Sequence, residues 1–217
     1  MSENKEDPQI SKLSPAVVRS RILYLKHNPI PPLLYKVCRK RNPLKATQYE
    51  FRTEYHLIYT VKPFRNLSCH GYIINDVNAQ TPVLTMKVDN SWHRYTCYDF
   101  NSDNRILYQI SVSEKLFHDH LIRTFDAAIY DEIGFPSKHF HQKNPIIKKN
   151  GAAGLHFGGK KVIPSIKNSV IVEDSLDDYM GMRKVERDIL EIDAFDECDP
   201  LFIFSLGIAS FATPSFD

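Results

Sequence analysis

Two long stretches of this chain lack acid altogether. From Pro8 to Tyr49 there are nine Lys or Arg and no Asp or Glu, and from Ile133 to Val172 there are seven Lys, three His and again no acid. Cysteine is sparse: Cys38, Cys69, Cys97 and Cys198 lie far apart and form no C-x-x-C pair. Neither a zinc nor a disulfide framework is expected, and the thiols are read as reduced, in a cytosolic setting. The opening residues, MSENKEDPQISK, contain no apolar stretch, so a secretory signal is not expected there.

Catalytic signatures are missing too. There is no G-x-S-x-G, no H-E-x-x-H and no Cys/His nucleophile pattern, so no enzyme activity is expected. The segment GLHFGGKK (154–161) nearly spells a phosphate-binding loop, but Lys161 stands where the magnesium-binding Ser or Thr belongs, and Pro164 interrupts the helix that should follow. His118-x-His120 and His139-x-His141 each put two imidazoles on one face of a strand, without a third ligand at a recognisable spacing. No metal or other cofactor is implied.

At 217 residues, with 42% hydrophobic and 25% charged residues, the chain has an ordinary globular composition and room for one sizeable core. The net charge of +2 conceals patterning, because acids dominate from Glu173 to Asp199. A fold that joins the two acid-free stretches carries a cationic face suited to phosphates of lipid or nucleic acid. Residues 1–17 are polar and aperiodic and read as a tail, and 18–32 as an arm ended by Pro29, Pro31 and Pro32.

Beyond the arm the dominant period is two. In DNRILYQISVSEK, Ile106, Tyr108, Ile110 and Val112 alternate with mostly polar neighbours; Val170 and Val172 in SVIVE, and Leu190 and Ile192 in DILEID, repeat the pattern. Short strands separated by Asn, Asp, Gly and Pro suggest a sandwich or barrel. The middle segment EKLFHDHLIRTFDAAIYDEIGF is ambiguous: Leu121, Phe125, Ala128 and Ile129 fit a helical stripe, and part of it is expected to be helix. Trp92, the only tryptophan, is read as a core or rim aromatic, with insertion at a membrane interface as the alternative.

The chain closes on DPLFIFSLGIASFATPSFD. Leu201 to Ala212 is twelve residues, short of the roughly 20 that span a bilayer as a helix. Asp199 and Pro200 are a good N-cap and first-turn pair, so a helix over about 200–212 is expected. Its apolar residues point to all sides, and such a helix must be buried on all sides. A β-rich shell around one hydrophobic helix follows, with a central sandwich strand as the alternative.

The order of several motifs resembles the C-terminal domain of tubby-like proteins. They are LHFGGKKVIPSIKNSVIV (155–172), DDYMGMRKVERDILEID (177–193) and DPLFIFSLGIASF (199–211), with VCRKRNPLKATQYEF (37–51), WHRYTCYDF (92–100) and RILYQ (105–109) upstream. The resemblance implies a single domain over 33–217: a mainly β fold, with a closed antiparallel barrel of about 12 strands around the C-terminal helix. It also implies binding of plasma-membrane phosphoinositides at a shallow cationic pocket, hence a cytoplasmic protein held peripherally at the inner face of that membrane. Carried over by residue, Lys87 takes the family's clamp lysine position, Gln48 its hairpin Asn, Asp89 falls where its clamp Arg stands, and Arg105 lies near a further Arg. Arg39, Arg41 and Lys45 in RKRNPLKATQ, turning at Asn42-Pro43, complete the expected phosphoinositide site.

Expected partners are therefore anionic phospholipids, with membrane or trafficking proteins beyond them. A protein-interaction adaptor that uses the barrel only as a scaffold is the first alternative. Nucleic-acid binding, against which the near-neutral total charge argues, is the second. The related scramblase-like small barrels share the architecture without a site that maps onto these residues.

Overall fold

The structure is a computed structural model, and it describes residues 33–214 apart from 43, 67–68, 103–104, 150, 152, 175 and 196–197. The expected tail (1–17) and arm (18–32) lie outside the described residues.

Strands β1 (Leu33–Asn42), β2 (Lys45–Arg52), β3 (Leu57–Arg65), β4 (His70–Asp76), β5 (Thr81–Val88), β6 (Arg94–Asp99), β7 (Ile106–Phe117), β8 (His120–Tyr130) and β9 (Pro136–Gln142) run as an antiparallel meander. A long connection carrying the short pair β10 (Ile146–Ile147) and β11 (Ala153–Gly154) leads to β12 (Ser169–Glu173), β13 (Leu176–Glu186) and β14 (Ile189–Ala194). Strand β14 pairs with β1, with Leu33 opposite Ala194 and Cys38 opposite Ile189, which closes a twelve-stranded barrel. Closure removes the exposed sheet edges that would otherwise template aggregation.

Helix α1 (Pro200–Ala212) fills the barrel. The Asp199 carboxylate accepts a bond from Leu201 N–H at 2.8 Å and Pro200 occupies the first turn, as the Asp-Pro pair predicts. Every residue from Phe202 to Phe211 is buried. Alternate strand residues form the surrounding wall, among them Val37, Phe51, Ile74, Leu84, Met86, Ile110, Leu190 and Ile192. Phe204 stacks on Phe51 with ring centroids 5.0 Å apart, and Phe202 meets Phe140 at the same separation. Each large apolar side chain so buried stabilises the fold by roughly 1.5–3 kcal/mol. Among the described residues no helix is long and apolar enough to cross a membrane.

The expected helix between Glu114 and Phe135 is absent, because β7 and β8 pair continuously from Tyr108–Ile129 to Phe117–His120. Arg123, Phe125 and Ala127 alternate into the barrel, so the strand period holds and the helical stripe is coincidental. Arg123 hides the alternation, being a charged residue at an inward position.

The barrel has two chemically distinct ends. At the base, where α1 starts, the turns and strand ends carry Glu54, Asp76, Asp131, Glu132, Asp174 and Asp199. Several of these acids fold the turns themselves: Asp131 accepts from the N–H groups of Ile133 and Phe135, and Asp76 from that of Ala79. The opposite end, the mouth, receives the C-terminus of α1 and the basic turns.

Gly207 sets the spacing between helix and wall, since a Cβ added there would lie 2.6 Å from Val37 Cγ2. We expect Gly207→Ala to lower unfolding free energy by about 1–3 kcal/mol through overpacking. Adding Val37→Ala should recover part of that loss in a double-mutant cycle followed by urea denaturation. Strict additivity of the two changes would contradict this contact.

Candidate functional site

The last turn of α1 leaves carbonyls without helical partners and a partial negative charge at the mouth. Cations from three separate strands or loops answer it. Arg123, fully buried on β8, donates to Ser210 O at 2.9 Å and Pro214 O at 2.8 Å, and its charge is balanced by Glu114 Oε1 at 3.0 Å. Lys167 Nζ, from the β11–β12 connection, donates to Ser210 O at 2.7 Å. The Arg39 guanidinium lies over the Phe211 ring, 4.6 Å from its centroid.

Beside this cap opens a cavity of about 790 Å³. Its polar lining includes Arg39, Arg41, Arg65 and His70, and its apolar lining includes Tyr49, Phe64, Tyr72, Trp92 and Phe211. Strand parity explains the convergence: Arg39 and Arg41 follow the inward Tyr35 and Val37 on β1, and Arg65 follows the inward Val61 on β3. Arg39 and Arg41 both donate to Asp188 Oδ1, at 2.7 and 2.9 Å. Desolvation pushes the Asp188 carboxyl up, but the two guanidinium groups outweigh it and hold the acid below the ordinary carboxylate range. Arg65 makes no ion pair among the described residues. His70 packs at a tilt against Trp92 with centroids 4.3 Å apart, and its buried Nε2 has no hydrogen-bond partner among the described residues.

The positions expected from the sequence divide in space. Arg39 and Arg41 enter the mouth cavity, whereas the Lys45 side chain lies outside the described residues. Lys87 does not join them. Met86 and Val88 on either side of it face the core, so Lys87 faces out, with Nζ 4.5 Å from the Tyr98 ring centroid. Gln48 also faces out, because its neighbour Tyr49 faces in, and β3 and β4 separate its strand from that of Lys87. Three interstrand steps put the two strands roughly 14 Å apart along the wall. Arg105 sits at the base, 3.8 Å from Asp99, far from the mouth. Asp89 folds the β5–β6 turn: its Oδ1 accepts from the His93 and Arg94 N–H groups and its Oδ2 from Ser91 Oγ. Desolvation opposes ionisation of Asp89, and the bonds from Ser91, Arg94 and His93 overcome it, holding the carboxyl low.

Sequence reasoning passes over Arg65, His70, Arg123 and Lys167. The first two stand alone in sequence, but their inward parity was available as a signal. Of the two histidine pairs, His139 and His141 share the outer face of β9, His141 Nδ1 contacts Asp174 at 3.0 Å, and His120 Nε2 contacts Gly151 O at 2.7 Å. In the loop that resembles a phosphate-binding motif, Lys160 is engaged by Asp193 on the outer wall at 2.5 Å.

No protein-family model matches the chain, and no curated protein matches it. Among solved structures, it is similar to a protein from Arabidopsis thaliana at 16% identity and a TM-score of 0.49, over 83% of this chain and 91% of that one.

Burial pulls the Lys167 ammonium down to about 7, aided by repulsion from Arg123, Arg39 and Lys184. An unfolded lysine keeps its proton to about pH 10. Between about pH 7 and 10 the unfolded chain therefore holds a proton that the folded chain has released, and stability from this group rises with pH. Urea denaturation across that window should show the rise flattened in Lys167→Met. Parallel profiles for the two proteins would contradict the assigned burial.

Proposed function

We propose that this protein binds the phosphorylated head groups of anionic phospholipids at its mouth and is thereby recruited peripherally to an anionic membrane surface. The observation that carries the reading is the convergence of Arg39, Arg41, Arg65 and His70 on one cavity. Arg39 is committed to Asp188 and Phe211 and is best seen as the floor of the site. Arg41 and Arg65 are the exposed guanidinium groups, whose planar forks suit phosphate oxygens. His70 Nε2 supplies a further polar atom beside them. Three of the acids near the mouth are engaged, Asp188 by two arginines, Glu114 by Arg123 and Asp89 by its own turn, while Asp119 and Glu186 are exposed on the β7–β8 and β13–β14 turns.

The resemblance to tubby-like domains supports the ligand class but not the position. That family's clamp would require Lys87 and Gln48 to share a pocket, and they face outward from β5 and β2, with β3 and β4 between. The mouth replaces the wall as the site. With Arg41 and Arg65 in its lining, the cavity takes a phosphorylated head group and leaves acyl chains in the bilayer.

Vesicle co-sedimentation tests the reading. Binding should require anionic lipid and weaken as salt is raised. Each cation near an anionic surface contributes roughly 1 kcal/mol, so Arg41→Ala with Arg65→Ala should reduce affinity by about 30-fold. Lys87→Ala should leave it unchanged. A Lys87 variant that abolishes binding, with a silent arginine pair, would return the site to the outer wall.

A further inference from the structure

Strands β7 and β8 outrun their neighbours at the mouth. The last bond from β7 toward β6 is Val112 N–H to His93 O at 2.7 Å, and the final β8–β9 pair in that direction is Asp126 with His141. Beyond the buried Glu114–Arg123 pair, residues 115–117 run on with 120–122 as a two-stranded ribbon, about 10 Å long at roughly 3.4 Å per residue. The ribbon is braced from the side of the β9–β12 connection, by Lys115 Nζ on Asn144 Oδ1 at 3.1 Å and His120 on Gly151 O. It is a held projection.

Its inner face reads outward in cross-strand pairs: Val112 with Phe125, Glu114 with Arg123, then Leu116 with Leu121. The first pair is core and the second caps α1. The third is only partly covered: Leu121 lines a second cavity with Phe157, Val162 and Pro164 of the β11–β12 connection, and Leu116 and Leu121 are 71% and 47% exposed. A second aliphatic tip stands on the β1–β2 turn at the same end, where Leu44 is 93% exposed. Between the two tips lies the mouth with Arg41 and Arg65, and Lys148, in the acid-free β10–β11 segment, lines that second cavity with His120 and Leu121 of the ribbon.

Scattered exposed leucines need no explanation. Here two projecting tips flank a cationic concavity, at the end opposite the acidic turns. That arrangement matches an anionic bilayer, whose phosphates meet the arginines and lysines while the leucines reach the acyl boundary beneath.

Resting on the head-group reading above, the geometry points to a specific docking pose: the barrel stands mouth-down on an anionic membrane, with Leu116 and Leu121 on one side and Leu44 on the other inserted as prongs. The acidic base then faces away from the membrane. Two exposed acids at this end oppose the pose, Glu186 at the end of β13 and Asp119. Asp119 shares the ribbon's tip turn with His118, both in the left-handed region (φ 64° and 45°), and its charge approaches the anionic surface. Removing that charge should strengthen docking.

Two ligands separate this pose from the head-group reading. Phosphatidylcholine vesicles carrying phosphatidylserine and a phosphatidylinositol bisphosphate probe docking, and soluble inositol hexakisphosphate probes the mouth alone. The Leu116→Ser/Leu121→Ser protein should lose vesicle affinity by at least about ten-fold and keep its affinity for the soluble polyphosphate. Asp119→Asn should gain vesicle affinity. Thermal melting checks that the exposed substitutions leave the fold intact, and Leu44→Ser, on a different turn, supplies an independent loss if the ribbon variant does not fold. Unchanged vesicle binding in the folded leucine variants would overturn the pose. So would a wild-type protein that binds the soluble polyphosphate but no vesicle, with the head-group reading surviving. Loss of self-association in the leucine variants, without loss of vesicle binding, would reassign the prongs to contact between copies of the chain. A wild type that binds neither ligand removes both readings.

Discussion

The structure depends on a helix that has no side for water. Segment Phe202–Phe211 is apolar around its whole circumference, so only a closed wall of strands can solvate it. That demand explains the inward alternation of the strands, the pairing of β14 with β1, and the small Gly207 where the wall comes closest. It also explains the one costly feature of the interior. A helix that ends inside a barrel presents unpaired carbonyls to a low-dielectric space, and Arg123 with Lys167 satisfies them. Glu114 balances the fully buried Arg123, because an unpaired charge there would cost several kcal/mol.

The cationic mouth grows from the same requirement. Once arginine and lysine cap the helix, Asp188 is the acid nearest the Arg39 and Arg41 side chains, and it binds both. Arg65, which makes no ion pair among the described residues, lines the cavity beside them. At the base the helix N-terminus favours negative charge, and Asp199 caps it there while accepting a bond from the Tyr108 hydroxyl. Helix direction and turn chemistry thus agree, and the barrel is basic at the end where its helix stops and acidic at the end where it starts.

Much of the fold was legible in local pattern. Asp199-Pro200 before an all-round apolar run announces a buried helix, and the alternation in Tyr108–Val112 or Leu190–Ile192 announces strands that face a core. The β7–β8 ribbon was not legible, because its inward positions include Arg123 and its leucines beyond the rim are exposed, so hydrophobicity does not track facing. The candidate site was half legible. Arg39 and Arg41 stand out as a basic hairpin, but likeness of motif order placed Lys87 and Gln48 with them, and the pleat turns both to the outer face. Parity was the decisive signal: Lys87 lies between Met86 and Val88, while Arg65 shares the inward side of Val61. His70 shares the inward side of Tyr72, but its contact with Trp92 required the fold.

Trp92 provides the most direct test, being the sole tryptophan and part of the cavity lining. Its emission should be followed as anionic vesicles are added to the intact protein. If the mouth holds the lipid head group, the emission shifts in parallel with vesicle binding, saturates with it and reverts when salt releases the protein. Binding measured by co-sedimentation with the Trp92 emission unmoved would contradict the account, because the lipid would then be held somewhere other than the mouth.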